Sequence, residues 1–308
     1  MSATATSELD DAAVQFTSFR RKLFGIAYRM LGSVAEAEDV VQDAWIRWQG
    51  TDRSEVAKPE AFLTTMVTRL AINVLQSARA RRETYTGPWL PEPVDTSQDP
   101  TLGAERAEAL EVAVLALFER LTPTERAAFV LREAFGYGYG EIADVVQVSQ
   151  AAARQLVSRA RKHLASGKRN TVSKAEQRRL LDAFVAAARV GDVKRLERLL
   201  AQDAVSRSDG GGLVRNVSRI PVSGRETVAK FMRAFAPRFW PGVVTRPIQV
   251  NGEPGTALDR DGVTIAIVVL TASEEGITEL NWVMNPTKLA PWERGGPALP
   301  PLAPAQRT

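Results

Sequence analysis

A chain of 308 residues, 44% hydrophobic and 25% charged, has room for two or three domains, each with its own core. It has no cysteine, which excludes disulfides, thiolate metal sites and thiol redox sensing, and no apolar run of membrane-spanning length or signal-peptide core, so a cytoplasmic protein without a membrane partner is expected. The net charge of +4 is small but uneven: positive residues crowd Arg69 to Arg82 and Arg154 to Arg179, and negative ones Glu36 to Asp43 and Gly87 to Glu111, which points to a polyanionic partner.

Phe19, Leu23, Ile26, Ala27 and Met30 form one helical stripe, ended by Gly32. Ser33 and Glu36 have capping-box spacing and open a second helix, with Ala37, Val40, Val41, Ala44, Trp45 and Trp48 inward. Its outward face presents Asp39, Gln42 and Asp43, which suits either solvent or a basic partner. Gly50 to Lys58 is a polar loop, and Pro59 sits in the first turn of a third helix. That helix is expected to bury Phe62, Met66, Val67, Leu70, Ala71 and Val74. Thr65, Thr68, Arg69, Ile72, Asn73 and Gln76 would be exposed, and the helix ends in the basic run SARARR. Such a surface could hold a single strand with splayed bases, or simply complement the helix dipole.

Gly87 to Pro100 is a Pro-rich acidic linker carrying Trp89 and Leu90, which suit either local packing or docking on another domain. Leu102 to Glu119 and Pro123 to Phe135 read as helices, the latter with a Thr122 cap followed by proline. In Glu141 to Leu164, Ile142, Ala143 and Val146 give a short stripe, and Ser149 is placed to cap the next helix. Ala153, Leu156, Val157, Ala160 and Leu164 then repeat at helical spacing. Arg154, Gln155, Ser158, Arg159 and Lys162 lie opposite. Gln and Arg can read base edges in a major groove, while Lys and Ser suit phosphates. A helix-turn-helix and a plain helical hairpin with a basic face both fit this pattern. The lone His163 has no second histidine with which to hold a metal, and no metal or cofactor is expected.

After a basic junction at Gly167 to Ser173, Leu180, Leu181, Phe184, Val185 and Ala188 mark a helix, with a second at Asp192 to Leu200. A third at Gly224 to Phe239 would turn Val228, Phe231, Met232 and Phe235 inward. Gly242 to Val250, Gly255 to Leu258, Gly262 to Thr271 and Gly276 to Val283 read as strands of an antiparallel sheet, an α+β layout. Asp209 followed by Gly210, Gly211 and Gly212 permits a tight turn and a close backbone approach. The tail from Pro291 is Pro/Gly-rich and is expected to be disordered past Trp292.

The segments AEAEDVVQDAWIRW, AFLTTMVTRLAINVLQSARARR and LTPTERAAFVLREAFGYGYGEIADVVQVSQAAARQLVSRARKHL together resemble the extracytoplasmic-function sigma factors of bacterial RNA polymerase. WLPEP, DGGG and NPTKL are similar to motifs of a subgroup with a fused SnoaL-like domain. The resemblance implies a multidomain chain: two all-α sigma domains, region 2 and region 4 with its helix-turn-helix, followed by an α+β SnoaL-like cone domain. The expected boundaries are region 2 at 1–86, a linker at 87–103, region 4 at 104–166, a second linker at 167–173, the cone domain at 174–290 and a tail at 291–308.

The resemblance further implies residue roles. Asp39, Gln42 and Asp43 would contact core RNA polymerase. Thr51, Asp52, Arg53 and Ser54 would hold a flipped base, with Arg69, Asn73, Arg79, Arg81 and Arg82 on the minus-10 promoter DNA. Gln150, Arg154, Gln155, Ser158, Arg159 and Lys162 would dock at minus-35. An interdomain regulatory contact would run through Trp89, Leu90, Pro91, Asp209, Gly210, Gly211, Gly212, Asn285, Pro286, Lys288 and Leu289, so that regulation in cis replaces a separate anti-sigma protein. The alternative is a one-component helix-turn-helix regulator with a ligand-binding cone domain. An enzyme is not expected: from Lys174 onward there is no His or Tyr for an acid–base pair, and most of Asp203, Asp209, Asp259 and Asp261 are expected in turns. A small ligand held among Phe231, Phe235, Trp240 and Trp282 stays open, with plain core as the preferred reading of those aromatics.

Overall fold

The computed structural model describes residues 2–83, 85–96, 112–165 and 172–292. The chain divides into two units, one holding Met1–Arg81 and Phe118–His163, the other Arg82–Leu117 and Leu164–Pro297.

In the first unit, α1 (Ser2–Leu31) and α2 (Val34–Gln49) pack as neighbours. Ser33 Oγ accepts the Glu36 N–H at 3.3 Å and so satisfies one of the free amides that open α2. The expected inward residues of α2 are all buried, and Trp45 meets Phe16 with ring centroids 5.2 Å apart. Asp52 caps a single 3-10 turn, Arg53–Glu55, before α3 (Pro59–Glu83). The buried stripe of α3 differs from the expected one: Leu63, Thr64, Val67, Thr68, Leu70, Ala71 and Leu75 are inside, whereas Phe62 lies at the edge against Trp48. Thr64 is tolerated there because its Oγ1 shares a hydrogen bond of 3.1 Å with the Tyr137 hydroxyl.

Most of the expected helix Leu102 to Glu119 lies outside the described residues. Its end appears in the second unit as α4 (Val112–Leu117), followed by a 3-10 turn, Phe118–Arg120, in the first. Thr122, Pro123 and Glu125 start α5 (Pro123–Glu133) with a complete capping box. The Arg126 side chain, almost wholly buried, donates to the carbonyls of Met30 at 2.6 Å and Phe118 at 2.5 Å, fixing α5 to α1. Helices α6 (Tyr139–Val146) and α7 (Gln150–Ala165) follow.

The second unit carries α8 (Lys174–Val190), α9 (Val193–Leu199) and α10 (Arg225–Phe239). Among the described residues its sheet has six strands: β1 (Leu200–Asp209), β2 (Val222–Ser223), β3 (Val244–Val250), β4 (Glu253–Arg260), β5 (Val263–Ser273) and β6 (Gly276–Val283). Their order is β2-β1-β6-β5-β4-β3, and a one-turn helix, α11 (Pro286–Leu289), follows β6. The α+β layout is as expected, but the sheet is mixed and not antiparallel, because β1 runs parallel to β6. Strands β1 and β2 were not expected from their polar sequences. The four expected strands are present, with β4 and β5 longer than their patterns suggested.

The near-continuous apolar run of β5 is explained by burial on both faces. Ala266, Val268 and Leu270 join Leu258, Leu280 and Trp282 under Leu181, Phe184, Val228 and Met232 of the helices. Their alternating neighbours Ile267 and Val269 join Ala257, Val250 and Val283 under Leu90, Leu289 and Trp292. The 89–96 segment runs over this second face and makes an antiparallel bridge between Asp95 and Val250.

Candidate functional site

Three surfaces and one buried cluster carry the expected site residues. On α2, Asp39 and Asp43 are exposed and Gln42 is half-buried. Ile46, 56% exposed, continues the same face one turn further on. This exposed isoleucine, one turn beyond Asp43, is an apolar element of the face that the charge pattern alone did not reveal.

The loop after α2 is ordered by its own side chains. Thr51 Oγ1 donates to the Arg47 carbonyl at 2.8 Å, and Asp52 Oδ1 accepts from the Ser54 amide at 3.0 Å and hydroxyl at 2.6 Å. The Ser54 hydrogen bonds hold the exposed Asp52 carboxyl below its ordinary range. Asn73 stands exposed on α3. Arg69, also exposed, is engaged: Nε donates to the Val145 carbonyl at 3.1 Å and an Nη to that of Asp144 at 3.2 Å. These are carbonyls at the C-terminal end of α6, where a cation is favoured. Arg79, Arg81 and Arg82 lie on the last turns of α3, and their side chains fall outside the described residues.

Helices α6 and α7 have helix-turn-helix form. Gln147 adopts a left-handed conformation (φ 57°) that ends α6. Ser149 Oγ accepts the Ala152 N–H at 3.2 Å and caps α7. Ile142 and Ala143 are buried as expected, but Val145 takes the place given to Val146. On α7 the stripe Ala153, Leu156, Val157, Ala160 and Leu164 is buried, while Gln150, Arg154, Gln155, Ser158, Arg159 and Lys162 are exposed on one face. Two of the arginines are oriented from below: Arg154 lies 5.5 Å over the Tyr139 ring, and Arg159 Nε is 2.8 Å from Glu125 Oε1. Burial alone would raise the Glu125 carboxyl, but the hydrogen bonds from Arg159 and Thr122 outweigh it and hold it below the usual carboxylate range.

The WLPEP, DGGG and NPTKL residues meet within the second unit. Asp209, at the end of β1, has no solvent exposure. Its Oδ2 accepts from Lys288 Nζ at 2.7 Å and from the Leu90 amide at 2.9 Å, and its Oδ1 accepts from the Tyr85 hydroxyl at 2.5 Å and the Gly211 amide at 3.1 Å. Lys288 also donates to the Leu90 carbonyl and sits 4.4 Å over the Trp89 ring. Asn285 Nδ2 donates to the Tyr85 hydroxyl at 3.0 Å, while its Oδ1 caps α11. Gly211 (φ 60°) admits no side chain, since a Cβ would stand 2.4 Å from Asn285 Nδ2. Gly212 (φ 74°) is likewise pressed against Thr86. Pro91 and Leu289 are buried, and Pro286 starts α11.

Tyr85 was missed by sequence reasoning because it follows the basic run with no pattern of its own. Burial, then the Asp209 hydrogen bond, push its phenol above the ordinary range. Asn251 and Thr96 were also missed. Asn251 Oδ1 accepts the Val94 amide at 2.9 Å, and Thr96 Oγ1 accepts the Gly252 amide at 2.8 Å. The aspartates discussed for catalysis are not mostly in turns: Asp203 and Asp209 lie in β1 and Asp259 in β4, leaving Asp261 in a turn. Asp259 is bound by Arg246 at 3.0 Å and by the Thr264 hydroxyl at 2.7 Å. Phe231 and Phe235 line a cavity, whereas Trp240 and Trp282 are core. The expected disordered tail lies outside the described residues. No helix among those described is long and apolar enough to cross a membrane.

Residues 15–81 match the model of sigma-70 region 2 and residues 111–164 that of sigma-70 region 4. The chain belongs to the extracytoplasmic-function (ECF) family of RNA polymerase sigma factors, DNA-binding proteins of transcription initiation. Over 252 residues it is 40% identical to the ECF RNA polymerase sigma factor SigJ of Mycobacterium tuberculosis (strain ATCC 25618 / H37Rv), covering 78% of this chain and 79% of that one. It is 27% identical over 295 residues to the probable ECF sigma factor SigI of the same species (strain CDC 1551 / Oshkosh), covering 92% and 97%. The crystal structure of M. tuberculosis SigJ superposes with a TM-score of 0.74 at 34% identity, covering 90% of this chain and 98% of that one. That match spans the helical sigma domains and the C-terminal helix-and-sheet domain alike.

Proposed function

We propose that the chain directs promoter-specific initiation in the cytoplasm by joining core RNA polymerase and reading the minus-10 and minus-35 elements. The observation that carries this reading is the exposed face of α7, Gln150, Arg154, Gln155, Ser158, Arg159 and Lys162 above a fully buried stripe. Bidentate donors near the start of the helix suit base edges, and Lys162 suits phosphate. Asp39, Gln42, Asp43 and the exposed Ile46 form the core-polymerase contact. Thr51 to Ser54, a loop ordered by its own hydrogen bonds, receive an extruded base, with Arg69, Asn73, Arg79, Arg81 and Arg82 along the melted strand. Strand opening needs no covalent chemistry, because differential binding to single-stranded DNA drives it.

The C-terminal domain regulates these activities in cis through the Asp209 cluster, which ties the interdomain segment 85–96 to that domain, and no separate anti-sigma protein is required. Residues 82–117 join the two sigma regions in sequence, so the hold of residues 85–96 on the sheet bears on the span available to both.

The test is size-exclusion chromatography and DNA binding with purified components. The full chain is expected to co-elute with core polymerase, and Asp39→Lys with Asp43→Lys to abolish co-elution. Promoter DNA should be held tightly only when core is present. Tight, sequence-specific DNA binding by the chain alone, with no association with core, would instead establish a one-component regulator.

A further inference from the structure

A cavity of about 590 Å³ opens beside α10 in the second unit, and none of the surfaces above uses it. Its size is that of small-molecule sites, which are typically ~300–1,000 Å³ and mostly apolar with a few placed polar groups. One wall is a ladder of rings a helical turn apart. Phe231 and Phe235 have centroids 6.0 Å apart and nearly parallel planes, and Phe235 and Phe239 are 4.7 Å apart. Ile265, Met284 and Leu289 form the facing wall.

The charged residues that line this apolar space are of one sign, with the Asp259 carboxylate behind the lining Thr264 and held by Arg246. Arg215, Arg238 and Arg260 line it, and among the described lining residues there is no aspartate or glutamate. Arg215 and Arg238 are exposed. Arg260 is half-buried: one Nη donates to the Phe239 carbonyl, the guanidinium lies 6.0 Å from the Phe239 ring, and its buried Nε has no hydrogen-bond partner. Guanidinium groups beside an apolar wall select a carboxylate or sulfonate carried on a hydrophobic body.

We propose that this cavity binds an amphipathic organic anion, its aromatic or aliphatic body along the Phe231–Phe235–Phe239 ladder and its acidic head among Arg215, Arg238 and Arg260. Met284, Pro286 and Leu289 of the lining alternate with Asn285 and Lys288, so one short segment faces both this cavity and the Asp209 cluster. Binding here stands apart from any role in transcription.

The experiment is a fluorescence titration of the full chain with 8-anilinonaphthalene-1-sulfonate, followed by competition. One saturable site is expected, with displacement by dodecanoate but not by dodecyltrimethylammonium. Arg238→Glu, on an exposed helix position, should weaken binding by about tenfold or more through charge reversal. Ala234→Trp should abolish it by filling the space, and circular dichroism would verify that both variants are folded. Equal displacement by the cation, no saturable binding, or wild-type affinity in folded Arg238→Glu would overturn the proposal. So would binding that emerges only when the residues after Trp292 are removed, because the occupant would then be the chain's own C-terminal segment.

Discussion

Lys288 Nζ lies 2.7 Å from Asp209 Oδ2, with the aspartate side chain wholly out of solvent and the lysine nearly so. Both charges have been taken from water, and hydrogen bonds from Leu90, Tyr85 and Gly211 complete the aspartate's shell. Removing one partner leaves the other charge buried and uncompensated, at a cost of about 3–5 kcal/mol. Lys288→Met should lower the unfolding free energy of the second unit by that order in urea titrations. Adding Asp209→Asn should restore part of the loss, since the stranded charge is then gone.

The same cluster predicts an alkaline transition. Burial and the Asp209 hydrogen bond raise the Tyr85 phenol above its ordinary value of 10.0, so the folded state holds this proton more tightly than the unfolded chain. Its contribution is complete below about pH 10 and declines above that, as the unfolded tyrosine ionises first. The urea midpoint should fall more steeply above about pH 10 in the wild type than in Tyr85→Phe. Parallel curves for the two proteins would refute the assignment.

An acid transition is expected in the helix-turn-helix. Glu125 is held below its ordinary value of 4.5 by Arg159 and Thr122, so its contribution is present above about that pH and is lost as pH falls through the lower folded value. Protection of the α5 and α7 amides, relative to intrinsic exchange at each pH, should fall below about pH 4.5. In Glu125→Gln this acid step should shrink, and the start of α5 should already be looser at neutral pH because its capping box is weakened.

Arg69 donates two of its five N–H groups to carbonyls that end α6, so the same exposed guanidinium can brace α6 and still meet a DNA strand. Arg69→Ala should increase exchange of the amides around Val145 and also weaken binding to single-stranded minus-10 DNA. Asn73→Ala should reduce DNA binding while leaving that exchange unchanged. If Arg69→Ala altered exchange alone, the arginine would be structural.

Where side chains obey a period, the sequence was readable. The buried stripe of α7, the inward residues of α2 and the Thr122–Pro123–Glu125 helix start follow from spacing and capping chemistry. Strand β1 was not readable, because Ser206, Ser208 and Asp209 are buried polar residues that no local pattern announces, and the partners of Asp209 come from distant segments. The phase of α3 was misjudged for a related reason: Thr64 and Thr68 look like surface residues, yet they lie inside. Trp89 and Leu90 were conspicuous as apolar residues in a Pro-rich stretch. That Leu90 covers the second face of the sheet depends on β5 being apolar on both sides, which becomes meaningful only once the strand is placed. Resemblance to the motif-bearing subgroup brought WLPEP, DGGG and NPTKL to notice; Tyr85, which joins them, had no such signal.

The most direct measurement is run-off transcription with purified core polymerase, comparing the full chain with its Lys288→Met variant on selected promoter DNA. A transcript with one defined start that requires the full chain is expected, with a severalfold change in its yield when the Asp209–Lys288 contact is broken. Core polymerase that yields no start-specific transcript with the full chain would contradict it.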